Sequence, residues 1–550
     1  MSGNGLAAAS GRRFTCPDCG GGLTYDILSG EMKCDACGRR RRVSDLPREK
    51  AGGTMAVTAF RCPQCGAELL SADTEATAFC SFCGSDVVLT GKLTDARRPD
   101  RIVPFKIDRE KCERIYREHL DAYPLAPSDL KTQETVSRFR PVYIPFWDYH
   151  VRSSGPVTAL EGFKTYTQGD YRYEEQYALD VTADIDQTGI LYDASTAFED
   201  ETAARLRHDI RDAVPFHPAY LSGAYAQVSD VTPETYRDEA VASAARHFME
   251  KVRKKMDLTS VGTTADVGRD YGLKNVSVEQ DMVMMPVWLL AKREGGRVMY
   301  TAVNGRTGEV VCDVPVSLAK AAALTAALAA AIFALLSFFL TLRPDWMILP
   351  AAALALTTLI LAARIDRERR RREDRAGEPV PGQAFKGPAQ MYLEAWQAPA
   401  LRQKKAIEAK SAGSGTGCLT AFVKGVGMIT LLSLGSVLFS YLTLTVSESG
   451  GDLRWVRAAV LAAGVIAALW YNWKRGDHGR MPDKLSILIC GLISLAAVLI
   501  PAGVTEDMVY YGLCAAILGL TVAELALILR RHNRFVTRPV PFFDGKEERA

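Results

Sequence analysis

Eight cysteines near the N-terminus constrain this chain more than any other feature. They stand as Cys16/Cys19 with Cys34/Cys37, and Cys62/Cys65 with Cys80/Cys83, and a glycine follows each Cys-x-x-Cys pair. Each cysteine of the second set lies 46 positions after its counterpart, which is the mark of one structural unit used twice. A Cys-x-x-Cys turn puts two thiolates on one side of a tight loop, and the glycine lets the backbone turn its amides toward sulfur. Two such turns offer four soft ligands in a tetrahedron, the arrangement Zn²⁺ takes in closed structural sites. Each unit is too small to build a hydrophobic core. Metal binding would therefore act as folding free energy, about 10–16 kcal/mol in comparable peptides. The expectation is two structural Zn²⁺ per chain, held by all eight cysteines. Disulfides or a redox pair are the alternatives, disfavoured because "MSGNGLAAASGRR" has no apolar export signal. Iron in a rubredoxin-like site is a further one. Cys112, Cys312, Cys418, Cys490 and Cys514 show no ligand spacing and read as small buried residues.

Net charge is only +3, which gives no global polyanion-binding signature. The average hides a segregation. The chain is polar and mixed in charge up to Val316, and from Ser317 apolar stretches alternate with basic connectors. Six stretches read as transmembrane helices: Ala319–Leu342, Trp346–Ala363, Gly425–Val446, Trp455–Trp473, Leu485–Pro501 and Met508–Leu529. Arginine-rich connectors alternate with arginine-poor ones, which places both termini and the cysteine modules on the cytoplasmic side. Lys424 and Glu524 form a candidate intramembrane polar pair. Arg39, Arg40, Arg41 and Arg42, with Arg369, Arg370, Arg371 and Arg372, are candidate contacts for anionic surfaces.

Between cysteine modules and apolar region lies an α+β domain. "DREKCERIYREHLDAY" reads as a helix capped by Asp108, and "TPETYRDEAVASAARHFMEKVRKKM" as a second one with Thr232 at its cap. Strand patterns follow each, and Asn304-Gly305 predicts a hairpin turn. The phrases "YIPFW" (Tyr143–Trp147) and "MMPVW" (Met284–Trp288) suggest two helix-on-antiparallel-sheet units arising by duplication. The expected organisation is a disordered N-terminus (1–12), zinc ribbon 1 (13–46), zinc ribbon 2 (58–92) and the α+β domain (100–316). A transmembrane hairpin (317–365), a basic flexible linker (366–417), four transmembrane helices (418–530) and a tail (531–550) complete it. The fold class is thus multidomain, with an all-α membrane region of six helices.

No phosphate-binding loop, His-Glu-x-x-His or Gly-x-Ser-x-Gly occurs. His150, beside Trp147 and Asp148, and the pair His208/His217 read as ordinary structural histidines, so no enzyme is expected. Ribbons with a basic patch and Phe14, Phe60, Phe79 and Phe82 raise nucleic-acid binding, but these rings would equally fill ribbon cores.

Twin "CPxCG…CxxCG" units followed by "IVPFKIDREK", "PVYIPFWDY", "PAYLSGAYAQ", "MMPVWLL" and "VNGRTGEVV" resemble a family of bacterial zinc-ribbon membrane proteins over Phe60–Val316. Members are often labelled primosomal helicase-like, and some are similar to membrane anchors of phage-shock-type systems beside SPFH- and TPM-domain proteins. "YTAVNGRTGEVV" also resembles the last hairpin of PepSY-like domains. The family resemblance implies a membrane anchor or adaptor; the six apolar stretches make it a multi-pass protein of the bacterial cytoplasmic membrane, in contact with the lipid bilayer, and its helices are candidates for self-association. It would recruit a cytoplasmic partner of SPFH or TPM type in envelope stress or membrane maintenance. A transporter or channel component and a membrane-tethered nucleic-acid binder are the alternatives, and the family offers no catalytic residue to carry over.

Overall fold

The computed structural model describes residues 14–46, 53–72, 79–87, 90–169, 171–195, 206, 210–263, 272–312, 314–339 and 507–540. Strands β1 (Leu23–Asp26), β2 (Glu31–Cys34) and β3 (Arg40–Arg41) form a separate three-stranded antiparallel sheet. The second cysteine set is built differently. Its strands β4 (Thr54–Arg61), β5 (Glu68–Ser71) and β6 (Thr90–Arg97) belong to a 13-stranded sheet. Both β4 and β6 are eight residues long and pair from Thr54↔Arg97 to Arg61↔Thr90. The 46-residue repeat covers the knuckles and the strand that follows the first of them, since β1 and β5 fall at nearly equivalent positions.

The rest of the sheet comes from β7 (Arg101–Ile102), β8 (Arg140–Gln168), β9 (Tyr171–Asp193), β10 (Val214–Pro215), β11 (Tyr225–Gln227), β12 (Ser260–Thr263), β13 (Ser277–Glu294), β14 (Arg297–Asn304), β15 (Val310–Cys312) and β16 (Arg538–Pro539). The central path runs β10-β7-β13-β8-β11-β5-β4-β6. Helices α1 (Arg109–Asp121), α2 (Gln133–Val136) and α3 (Arg237–Lys255) accompany it. Asp108 caps α1 by accepting from the Lys111 amide at 3.0 Å. Its buried side, Cys112, Tyr116 and Leu120, repeats every four residues, as a helix laid on a core requires. Thr232 stands instead before a 3-10 turn, Pro233–Tyr236, and its hydroxyl meets that of Thr235 at 3.2 Å. The tight turn lets Pro233 enter before α3 begins.

The two strand–Pro–Trp phrases turn out to be partners. Tyr143 pairs with Pro286, Ile144 with Met285 and Pro145 with Met284, so β8 and β13 run antiparallel about a local two-fold. Proline has no amide to give a ladder, so it belongs where pairing lapses. Pro145 sits where the other edge of β8 passes from β11 to β9. Pro286 sits where the other edge of β13 passes from β7 to β14. The tryptophans obey the same symmetry. Trp147 Nε1 donates to the Val231 carbonyl at 2.9 Å, and Trp288 Nε1 to Ile107 at 2.8 Å. Each carbonyl lies one residue ahead of a helix-capping residue, so each strand pins the helical unit of the opposite half. The Asn304-Gly305 turn forms as expected: the Asn304 side-chain oxygen accepts from the amides of Arg306 (2.8 Å) and Thr307 (3.0 Å).

The membrane architecture expected from hydropathy is corrected. Helices α4 (Leu318–Phe339) and α5 (Asp507–Val536) overlap the first and last expected spans. Among the described residues, however, no helix is long and apolar enough to cross a membrane. The other four stretches lie outside the described residues. The described residues therefore do not support an all-α region of six spans in the fold class, nor the multi-pass localisation drawn from it. The polar ends of both helices are tied to the sheet domain instead. Lys320 Nζ donates to the Ala126 carbonyl at 2.7 Å. The Asn533 side chain accepts from the Val316 amide (2.8 Å) and donates to the Val316 carbonyl (2.7 Å). Strand β16 then pairs with β14.

Candidate metal centres

All four Cys-x-x-Cys turns share one backbone design. The glycine after the second cysteine lies in the left-handed region, at φ 72° for Gly20 and Gly38, 75° for Gly66 and 67° for Gly84. Its amide closes on the carbonyl of the first cysteine at 2.8 Å (Gly20), 2.9 Å (Gly38 and Gly66) and 3.0 Å (Gly84). The first cysteine's own amide donates across the loop, to Gly21, Arg39, Ala67 and Ser85 at 2.7–2.9 Å. Amides within and just after the turns face sulfur. Gly21 N lies 3.5 Å from Cys19 Sγ, and Phe82 N lies 3.4 Å from Cys80 Sγ.

The eight expected cysteines gather into two quartets, in each of which all four sulfurs lie within 4.8 Å of one another. Diagonal pairs face each other at 3.9 Å (Cys16–Cys37), 3.4 Å (Cys19–Cys34), 3.7 Å (Cys62–Cys83) and 3.8 Å (Cys65–Cys80). A tetrahedron with zinc–sulfur bonds of about 2.3 Å has edges of about 3.8 Å, so the sulfurs fit the ion. The described cysteines are free thiols, and their separations exceed the roughly 2 Å of a disulfide. Amides of Cys37 and Ala36 pull the Cys34 thiol down to about 6. Hydrogen bonds from Cys65 and Cys80, with Ser85 behind them, lower that of Cys83. Both effects favour the thiolate, the form that binds metal, while Cys19, Cys65 and Cys80 are raised by the thiols hydrogen-bonded to them. These are two four-cysteine sites compatible with two structural zinc ions; bound there, zinc would cross-link the two turns of each set.

The centres differ in setting. In the first, Cys16 and Cys34 are buried while Cys19 and Cys37 are exposed. That ribbon rests on the sheet domain through β1. Tyr25 packs edge-on to Tyr220 at 5.1 Å, and Ser222 Oγ donates to the Leu23 carbonyl at 2.9 Å. In the second, all four cysteines are buried. Here Ser85 Oγ contacts Cys83 Sγ at 3.0 Å and donates to Gln64 at 2.6 Å, while Arg293 reaches both Ser85 (2.8 Å) and Gln64 (2.7 Å). The Tyr300 hydroxyl donates to the Phe82 carbonyl. The spacing of cysteines gave no hint of Arg293 and Tyr300, which lie more than 200 residues from the knuckle residues they brace.

The arginines of the first ribbon face its own acids. Arg39 and Arg41 hold Asp18 at 3.0 and 2.8 Å, and Arg40 approaches Asp26 at 3.5 Å. Arg42 is exposed. Phe60, Phe79 and Phe82 are buried, as core residues of the second centre should be. Arg369–Arg372, Lys424 and the side chain of Glu524 lie outside the described residues, as does His208. His217 caps a turn by accepting from the Ala219 amide at 3.1 Å. His150 meets Asp186 beside a cleft of about 880 Å³ shared with Arg101 and Asp148. Burial raises the Asp148 carboxyl, and Arg101 opposes the rise.

Residues 15–45 match the family described as Trm112p-like protein. With the two four-cysteine sites, this supports a zinc-ribbon protein. The chain is also 29% identical over 317 residues to the uncharacterized protein YdjG of Bacillus subtilis (strain 168), an alignment covering 56% of this chain and 92% of that one. No solved structure matches.

Proposed function

We propose that this chain is a zinc-ribbon scaffold that recruits a protein partner, with zinc shaping a contact surface rather than taking part in chemistry. The observation that carries this reading is the seating of the first ribbon. One side is packed on the sheet domain through Tyr25 and Ser222, and the opposite knuckles, with Cys19 and Cys37, face outward. Four thiolates fill a tetrahedral zinc, which leaves no position for substrate or activated water. A closed site of this kind makes short loops rigid, and rigid loops bind with little ordering cost. The arginines on those loops are engaged by Asp18 and Asp26, which suits a shaped mixed-charge surface better than a bare polyanion-binding patch. SPFH- and TPM-domain proteins are the first partners to test.

The test is affinity purification of the tagged full chain. One protein should co-purify in fixed ratio, and Cys16→Ser, which dismantles the first ribbon, should lose it. Equal recovery with Cys16→Ser, or no partner in fixed ratio, would overturn the reading.

A further inference from the structure

Strand β13 leaves β8 at Arg152, and beyond it the β8–β9 hairpin continues as an arm. Strand β12 covers the other edge of β8 at Leu160–Phe163. The outer edge of β9 has no strand partner among the described residues. At the base of the arm one face is covered: Leu258 and Leu179 crowd Gly162, and Ile185 and Ala183 pack in the cluster that includes α3 residues Ala240 and Ala244. Past Leu179 the cover ends at Leu258 over Gly162 and at Lys164, which stands opposite Glu175 and is held by Asp257, and Tyr171–Ala178 are exposed throughout.

That uncovered stretch is ordered by its own contacts. Alternation along a strand puts Tyr171, Tyr173, Glu175 and Tyr177 on one face, where Tyr166 stands opposite Tyr173. The rings of Tyr166 and Tyr173 stack at 5.3 Å and 16°. The Tyr166 hydroxyl donates to one Glu175 oxygen at 2.9 Å, and the Tyr177 hydroxyl donates to the other. A carboxylate is thus fixed among exposed tyrosine rings, next to a strand edge with unused backbone groups. Charge on the arm is biased the same way. Glu161, Glu174, Glu175 and Asp180 outweigh Arg172 and Lys164, and Lys164 is bound to Asp257 at 3.0 Å. A second copy pairing edge to edge would bring these acids against their own counterparts, which is unfavourable. A basic strand would not meet that penalty.

We propose that this tyrosine–carboxylate face, with the free edge of β9, docks an extended arginine- or lysine-rich segment of a partner protein. The segment adds as a strand to β9 and lays its cationic side chains over Tyr173 and Tyr177 against Glu175. Main-chain bonds of an added strand supply affinity, and alternate side chains supply selectivity. Rings and carboxylate together favour a cation. The proposal deepens the scaffold reading and rests on it.

The test uses the zinc-loaded full chain, titrated by fluorescence anisotropy with two labelled decapeptides, an Arg-Thr repeat and a Glu-Thr repeat. The basic peptide should bind saturably, and the acidic one at least about tenfold more weakly. Tyr173→Ala and Glu175→Gln should each weaken the basic peptide severalfold, and Glu175→Lys should reverse the preference. All three substitutions fall at exposed positions, and unchanged zinc content would certify the fold. Amide exchange of Tyr171–Asp180 should slow on binding, as strand addition requires. Equal binding of both peptides, indifference to Glu175→Lys, or unchanged amide exchange would overturn the proposal. So would concentration-dependent dimerisation abolished by Glu175→Lys, which would make a second copy the occupant. Cys16→Ser should leave peptide binding intact, so a failed partner capture with sound peptide binding would sink only the role of the first ribbon.

Discussion

Gly20 and Gly84 hold the same place in the same turn, at nearly the same backbone angle, yet they should respond differently to one methyl group. Any L-residue at φ near +70° costs about 1–2 kcal/mol. At Gly20 a Cβ would meet nothing within 4 Å, so Gly20→Ala should cost only that. At Gly84 it would lie 2.9 Å from the Ala291 carbonyl oxygen, a backbone atom of the central strand β13. Gly84→Ala should cost roughly 3 kcal/mol or more and loosen zinc in the second centre only. Equilibrium unfolding and zinc titration of both variants would check this; equal losses would mean the sheet yields there. Ligand substitution makes the complementary prediction. Metal analysis should find two zinc ions per chain in the parent and one in Cys16→Ser, since the quartets share no cysteine. Stoichiometric iron would contradict the assignment.

At the scale of elements, one side chain ties the chain just ahead of α4 to the last turn of α5. Asn533 makes two hydrogen bonds to the Val316 backbone. Arg297 adds bonds to the carbonyls of Arg534 and Thr537, and β16 extends β14. Removing the Asn533 side chain leaves a part-buried amide and carbonyl at Val316 without that partner. At about 1 kcal/mol per hydrogen bond, Asn533→Ala should cost about 1–3 kcal/mol, read as faster amide exchange at Val316 and in β14. Unaltered exchange there would mean that β16 alone holds the junction. The two cysteine sets are also held unequally. Strands β1 and β2 pair only four residues, whereas β4 and β6 pair eight and join the large sheet.

For the whole molecule, that inequality predicts how it comes apart. The first centre has two exposed cysteines and a small contact with the sheet domain, so its loss should be local. The second lies within one buried cluster with Val142, Ile144, Val287 and Leu289 of the central strands. Its loss should be global, since metal binding energy there is folding energy. A strong chelator should therefore remove zinc in two phases. The first ion should leave with the far-ultraviolet spectrum of the sheet nearly unchanged, and the second with cooperative unfolding. Simultaneous release, or an intact sheet after both ions have gone, would show that the second centre is not part of the core.

Features set by near neighbours were legible in the sequence. The eight cysteines, their glycines, the Asp108 cap and the Asn304-Gly305 turn all rest on geometry spanning a few residues, and spacing reports such geometry directly. The paired phrases "YIPFW" and "MMPVW" were visible as kin, but not as partners, because a local two-fold between distant strands leaves no trace in spacing. Arg293 beside Ser85 and Gln64, and Asn533 beside Val316, are joined only by the folded chain. Hydropathy misled because an apolar stretch alone does not make a span: among the described residues neither α4 nor α5 is long and apolar enough to cross a membrane, and Leu324, Leu518 and Val522 stand exposed. The tyrosine–glutamate face of the arm also waited on the tertiary structure. Alternating tyrosines mark a strand, but only the folded sheet decides how far along the arm α3 covers that face and where it leaves it to a partner.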